Sequence, residues 1–282
     1  MTAQMAETTI GAGIDRRFLL GLGAAMLLPG RRVAAGEGPA LPPGIEPSGE
    51  GKVIEVVDGD TVRLAGGKQV RFVGTQAPKL PLGRAGYPTW PLAPEARDHL
   101  ASLCLGRRVR LFAGGARQDR HGRILAHLVT EEGLWLQGAM LDAGLARVYT
   151  FKDNRALAAE MLALEATARA AARVLWADAT YRIRQADEAD LVAAVGGVPG
   201  YLLVEGRVLR SAAGGGRWFL NFGRDHATDF TASIAAPDLP LFTAAGIDPA
   251  TYAGKSLRLR GWLEARNGPA MTITHPEQIE VG

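Results

Sequence analysis

Asp58-Gly59-Asp60 separates two β-rich runs, 52–57 and 61–64. So short an Asp/Gly linker between such runs signals a tight antiparallel hairpin, and it commits this part of the chain to β-structure. A third strand is predicted over 69–74. Residues 80–94 form a Pro/Gly loop, and 95–105 reads as a helix opened by Pro94 and closed by Gly106. Strands at 108–112 and 124–129 flank a loop at 113–123. A helix over 135–143 stops at Gly144, and 156–174 reads as a long Ala/Leu/Glu helix that ends at Leu175-Trp176. Five short strands with interposed helices predict a small closed barrel with helices packed on it, mainly β in an α+β arrangement.

The rest of the chain sets the boundaries. At 282 residues, 47% hydrophobic and 22% charged, the chain has the length of two domains, and wholesale disorder is excluded. The single cysteine, Cys104, excludes an internal disulfide and reads as a buried small hydrophobe. No apolar run approaches the roughly 20 residues of a membrane-spanning helix. Near the start, Arg16-Arg17 stands directly before an apolar stretch through Leu28, followed by Arg31-Arg32 and Val33-Ala34-Ala35. This resembles a bacterial twin-arginine export signal cut after Ala35, so a periplasmic or secreted protein without a membrane span in its mature form is expected. The organisation predicted is a signal at 1–35, a flexible lead-in at 36–49, a first domain at 50–178, a linker at 179–194 and a second domain at 195–282.

Four motifs in the first domain carry a resemblance. V-V-D-G-D-T-V (56–62), R-F-V-G-T-Q-A-P (71–78), D-R-H-G-R-I-L-A (119–126) and L-x-A-G-L-A-R-V (141–148), with Leu164-Glu165 and Leu175-Trp176, resemble the staphylococcal nuclease (thermonuclease) family. The resemblance spans essentially all of 50–178. It implies a five-stranded OB barrel and calcium-dependent hydrolysis of DNA and RNA phosphodiesters. By the same resemblance Asp60 is a calcium ligand, and Arg71 and Arg123 clamp the scissile phosphate, where two guanidinium forks suit charge spread over phosphoryl oxygens.

The departures lie between those positions. Gln76 stands where the family has a second acidic ligand; its amide oxygen can still meet a hard cation, with one negative charge fewer. Ala77 can offer the backbone carbonyl used there. Lys79 replaces the Glu that activates the attacking water, and an ammonium is no general base unless its pKa is brought near 7. It can instead neutralise phosphate, which favours binding over turnover. Arg120, His121 and Tyr149 are candidate nucleic-acid contacts, each with a plain alternative as a loop or rim residue. Glu95 reads as a helix-opening acid rather than a replacement base.

Charge is uneven along the chain. Residues 50–178 hold 18 Lys/Arg against 14 Asp/Glu, and 179–282 hold 10 against 11. Arg107, Arg108, Arg110, Arg117, Arg120 and Arg123 fall within 17 residues that contain only Asp119 in opposition. That strip is either a solvated face or a polyanion track.

In the second domain, 201–209, 218–222, 230–235, 257–263 and 271–281 read as five short strands, with a turn at Gly214-Gly215-Gly216 and a short helix or turn at 237–245. This predicts a second OB-like barrel. Trp218, Phe219, Phe222 and Trp262 with Arg217, Arg258 and Arg260 are either core residues or a stacking platform for nucleic acid. Three functions stay open: an exported nuclease using divalent metal with weakened activity, an inactive nuclease-derived module that holds DNA, RNA or another anionic ligand, and an envelope interaction or scaffold protein that uses both barrels for partners, with the second domain as a candidate protein-binding part.

Overall fold

The computed structural model describes residues 44–198 and 200–282; the stretch read as an export signal, 1–35, and most of that read as a lead-in, 36–49, lie outside the described residues. The first barrel and its helices run β1 (Glu46–Asp58), β2 (Thr61–Leu64), β3 (Gln69–Phe72), β4 (Thr75–Gln76), α1 (Ala93–Cys104), β5 (Arg108–Ala113), β6 (Ile124–Thr130), α2 (Leu136–Asp142), β7 (Arg147–Val148) and α3 (Ala158–Ala170). β1 serves two neighbours: its first half pairs with β5 and its second with β2. Register shifts after Pro47, Val53 and Val56 bend the strand between those partners, as bulges do. The strand begins at Glu46, inside the stretch read as a lead-in, because 46–49 finds a ladder against 111–113 of β5.

β3 and β6 close the barrel through a parallel pairing, giving the order β1-β2-β3-β6-β5. Its interior is filled by Val53, Val62, Val70, Phe72, Leu111 and Leu128. Ala96 and Leu100 of α1, Met140 and Leu141 of α2, and Met161 of α3 seal it, so the helices pack on the barrel as the sequence predicts. Cys104 is buried in that layer, and burial pushes its thiol up to about 12.

The second half adds β8 (Arg184–Gln185), β9 (Tyr201–Arg207), β10 (Arg210–Gly214), β11 (Arg217–Asn221), β12 (Thr231–Ala235), α4 (Leu239–Ala244), β13 (Ser256–Ala265), β14 (Pro269–Ile273) and β15 (Ile279–Val281). Its connectivity repeats the first. β9 and β10 act as one strand broken at Val208-Leu209: β9 pairs with β13, and β10 pairs with β11. β12 and β14 run parallel, as β3 and β6 do. The break leaves a curled sheet where β1 makes a closed barrel. Sequence reading missed β10, since its Ser/Ala/Gly residues lack β-propensity and pair only because Gly215 and Gly216, both at positive φ, turn the chain back on itself.

The barrel and the curled sheet belong to one compact unit. At their junction Glu165 of α3 is fully buried and accepts from Arg260 Nη2 of β13 at 2.7 Å and from the Val148 N–H at 2.7 Å. Arg260, equally buried, also pairs with Glu280 and donates to the Val148 carbonyl at 3.3 Å. Arg258 is paired with Glu205 at 2.7 Å, so neither arginine of that strand is offered to a ligand. Thr150 and His275 join the halves through a 2.8 Å hydrogen bond, and Arg155 forks onto Glu277 at 2.7–3.0 Å.

Removing one partner of a buried pair leaves an uncompensated charge. Arg260→Met should therefore cost about 3–5 kcal/mol in urea unfolding, while Glu165→Leu with Arg260→Met should cost less than either single change. His127 and His275 give a pH signature. Burial holds both imidazoles down at about 4, against an ordinary value of 6.5. The native state stays neutral where the unfolded chain takes up protons, so stability is full above the unfolded value and falls as pH drops toward 4. The expected loss is about 2 kcal/mol per histidine at about pH 5, read as a falling unfolding midpoint and flattened by His275→Gln.

Candidate functional site

The hairpin turn and the segment after β3 bring four charged groups together. Asp58 Oδ1 accepts from the Asp60 N–H at 3.1 Å, which shapes the turn and leaves Asp58 Oδ2 facing inward. Gly59 is required there by packing, because a Cβ would lie 2.6 Å from Ala77 Cβ and 2.8 Å from Ala96 Cβ. Asp60 is fully buried. Its Oδ2 takes the Ala77 N–H at 2.8 Å and faces Arg71 Nη1 at 3.0 Å. Lys79 then reaches back across the turn: its Nζ lies 2.5 Å and 2.6 Å from the two Asp60 carboxylate oxygens and 3.1 Å from Asp58 Oδ2.

Arg71 is an internal brace. Nη1 donates to the Phe72 carbonyl at 2.9 Å and Nη2 to the Thr75 carbonyl at 2.8 Å, so the guanidinium fixes the chain between β3 and β4. Burial opposes charge on both carboxylates. At Asp58 burial is the largest single influence, but the Lys79 ammonium, the hydrogen bonds from Asp60 and the Arg71 charge together outweigh it and hold the carboxyl well below the usual range; at Asp60 burial and the neighbouring Asp58 push it up. Two carboxylates face two cations, and the cluster is neutral.

The other predicted residues are placed elsewhere. Gln76 pairs with Arg147 across β4 and β7, and its Oε1 accepts from Arg147 Nη2 at 3.1 Å. Arg147 is buried against the rings of Tyr181 and Tyr201, and among the described residues it forms no ion pair. Ala77 meets Asp60 through its N–H. Arg123 lies two residues before Leu125, the ladder neighbour of Arg71, just ahead of the start of β6. Its partner is Asp119, with a 2.7 Å contact that closes the 119–123 turn. Burial works against charge on Asp119, but hydrogen bonds from Arg123 and the His121 N–H prevail and hold its carboxyl low. Arg120 and His121 stand exposed on that turn. Tyr149 packs edge-on against Phe151, Tyr201 and Trp262, and its hydroxyl accepts from Trp262 Nε1 at 3.1 Å.

The fold also places acids against the arginine strip that the sequence shows as opposed only by Asp119. β1 brings Glu50 to Arg108 and Glu46 to Arg117, at 3.5 Å for the latter, and the turn after β6 sets Glu132 3.8 Å from Arg107.

A divalent cation such as calcium takes six to eight oxygen ligands, anionic carboxylates foremost. Here both oxygens of Asp60 are engaged by cations or an N–H, Gln76 is turned to Arg147, and Lys79 brings a positive charge into the same space. Among the described residues no group of three or more His, Cys, Asp or Glu is arranged to hold a metal. The residues as folded do not fit the cation. Asp58 and Arg147 are the participants that sequence reading missed. Asp58 carried a signal in the D-G-D spacing, whereas Arg147 carried none without the β4–β7 pairing.

Comparison with known proteins follows this geometry. A family model described as staphylococcal nuclease homologue matches residues 69–178. An uncharacterized endonuclease of Escherichia coli is 30% identical over 132 residues, covering 46% of this chain and 78% of that protein. The probable endonuclease LCL3 of Coccidioides posadasii is 33% identical over 133 residues, covering 37% of this chain. Endonuclease YhcR of Bacillus subtilis is 32% identical over 116 residues, covering 38% of this chain. The chain spans 42% of the Coccidioides protein and 10% of the Bacillus protein.

Lys79→Met should expose the role of the ammonium. It leaves two buried carboxylates facing Arg71 alone and is expected to lower stability by about 2 kcal/mol at neutral pH. The deficit should shrink as pH falls through the carboxylate range, because protonation then removes the uncompensated charge. Thermal unfolding at about pH 7 and about pH 4 reads this directly.

Proposed function

The chain belongs to the staphylococcal nuclease homologue family, and from that premise we propose that it holds DNA or RNA through its first barrel without calcium-dependent cleavage. The observation that carries this reading is the Lys79 ammonium seated 2.5 Å and 2.6 Å from the oxygens of Asp60. A water-activating carboxylate is replaced there by a cation, and that cation is spent on the would-be metal ligand. The exposed arginines of β5 and the 119–123 turn supply the phosphate contacts. The pairs of Arg108 with Glu50 and Glu131, and those of the flanking Arg107 with Glu132 and Arg117 with Glu46, lie at the surface, where such pairs contribute about 0–1 kcal/mol and exchange readily for phosphate. In the exported setting that the twin-arginine-like leader predicts, a metal-independent anion binder would work whatever the external calcium level.

The test is incubation of the purified chain with plasmid and single-stranded DNA, in calcium or in chelator. The expected result is salt-sensitive retention in a gel shift, equal under both conditions, with intact DNA recovered. Rapid calcium-dependent degradation abolished by Asp60→Ala would overturn the proposal. Gln76→Asp combined with Lys79→Glu is expected to raise cleavage in calcium from that baseline.

A further inference from the structure

The second sheet has an outward face with its own chemistry. Along β11, Trp218, Leu220 and, just beyond it, Phe222 pack toward the core, while Arg217, Phe219 and Asn221 point outward. Ladder register sets Phe219 between Ala212 of β10 and Ser233 of β12, with Thr272 of β14 beyond. These neighbours are all short, so the ring lies on a low floor inside an open groove of about 690 Å³.

Arginines surround that ring. Arg210 and Arg217 rise from the strands, Arg224 from the loop after β11 and Arg266 from the β13–β14 turn. Arg217 Nε donates to Ser233 Oγ at 3.1 Å, which lays the guanidinium along the sheet beside Phe219. Among the described residues no Asp or Glu lines the groove. Of the four arginines, only Arg266 is ion-paired among the described residues, with Glu264 at 2.8 Å. Asp225 and Asp229, in the same loop as Arg224, take backbone N–H groups of that loop at 2.9 Å. A groove of this charge thus sits in a half of the chain that is slightly acidic as a whole.

We propose that this groove, built on Phe219 and rimmed by Arg210, Arg217, Arg224 and Arg266, is a binding site for single-stranded nucleic acid. The ligand must present flat π-faces and closely spaced negative charge together. An unpaired strand does both, since its bases stack on an aromatic ring in a sequence-tolerant way while its phosphates meet the arginines. A duplex keeps its base faces covered, and an acidic peptide brings charge without a stacking partner. The site is separate from the Asp60 cluster and does not rest on the reading of the first barrel.

Fluorescence anisotropy of a labelled deoxythymidine oligomer, titrated with the full chain at two or more salt concentrations, tests it. Phe219→Leu keeps apolar volume without the ring and is expected to weaken binding about tenfold, with Phe219→Tyr retaining it. Arg217→Ala and Arg224→Ala together are expected to reduce the salt slope by about 1.4, roughly 0.7 per lost phosphate contact. Arg120→Ala with Arg123→Ala, in the first barrel, serves as the independent arm: it should leave the Phe219 effect intact. Unchanged affinity in both Phe219→Leu and the arginine pair overturns the proposal while leaving the first-barrel reading standing. Equal or tighter binding of polyglutamate, or of a duplex with no Phe219 effect, overturns it in favour of a surface that reads charge alone. An unfolding midpoint for Phe219→Leu within a few degrees of the parent shows that the loss is local.

Discussion

The contact between Glu165 and Arg260 is the one on which the arrangement of the molecule depends. Both groups are fully buried and lie 95 positions apart, one on the last helix of the first barrel and one on β13, an interior strand of the second sheet. Between them they engage both backbone groups of Val148. Val148 belongs to the two-residue strand that pairs with Thr75 and Gln76, directly before Ala77 and Lys79. Two paired residues make a weak ladder by themselves. The geometry around Asp60 is therefore braced through β7 by an ion pair supplied half from the second sheet, and the two halves act as one structure.

Within that brace, charge neutrality decides what the Asp60 cluster can do. Two buried carboxylates would each carry a desolvation cost of several kcal/mol in isolation, and the arrangement is tolerable only because Arg71 and Lys79 neutralise them at hydrogen-bonding distance. Arg147 shows the complementary case. It is a buried cation whose direct polar partner is the neutral amide of Gln76, with two tyrosine rings presenting their faces nearby. Gln76 and Lys79, read in sequence as two separate departures, thus sit in different electrostatic settings. Lys79 completes a neutral cluster, while Gln76 leaves a positive one uncompleted.

Much of this was legible in the sequence, and the limits were physical. The five strands of the closed barrel and the three helices packed on it follow from local turn and periodicity rules, and the grouping of Asp60 with Arg71 from the family resemblance, whereas the two-residue strands β4 and β7 carried no local signal. The junction was not legible. Arg258 and Arg260 read as exposed cations on a strand, and nothing local says that Glu165, Glu205 and Glu280 converge on them. The acids facing the arginine strip were hidden for the same reason, since they come from β1 and from the turn after β6. In the second sheet the signal was present but underused. The alternation from Arg217 to Phe222 puts one aromatic face with the arginine and the other two with the core, and a strict period of two separates Phe219 from Trp218 and Phe222. Trp262 belongs with Tyr149 at the junction.

The Lys79 ammonium has a property that a bound ion lacks. It is a counter-ion attached to the main chain, so its local concentration beside the two carboxylates is set by the fold and not by the medium. Dilution and chelation cannot strip it from Asp58 and Asp60, and no loading step precedes the folded state. The charge balance of the Asp58 and Asp60 cluster is complete once the chain is synthesised and folded.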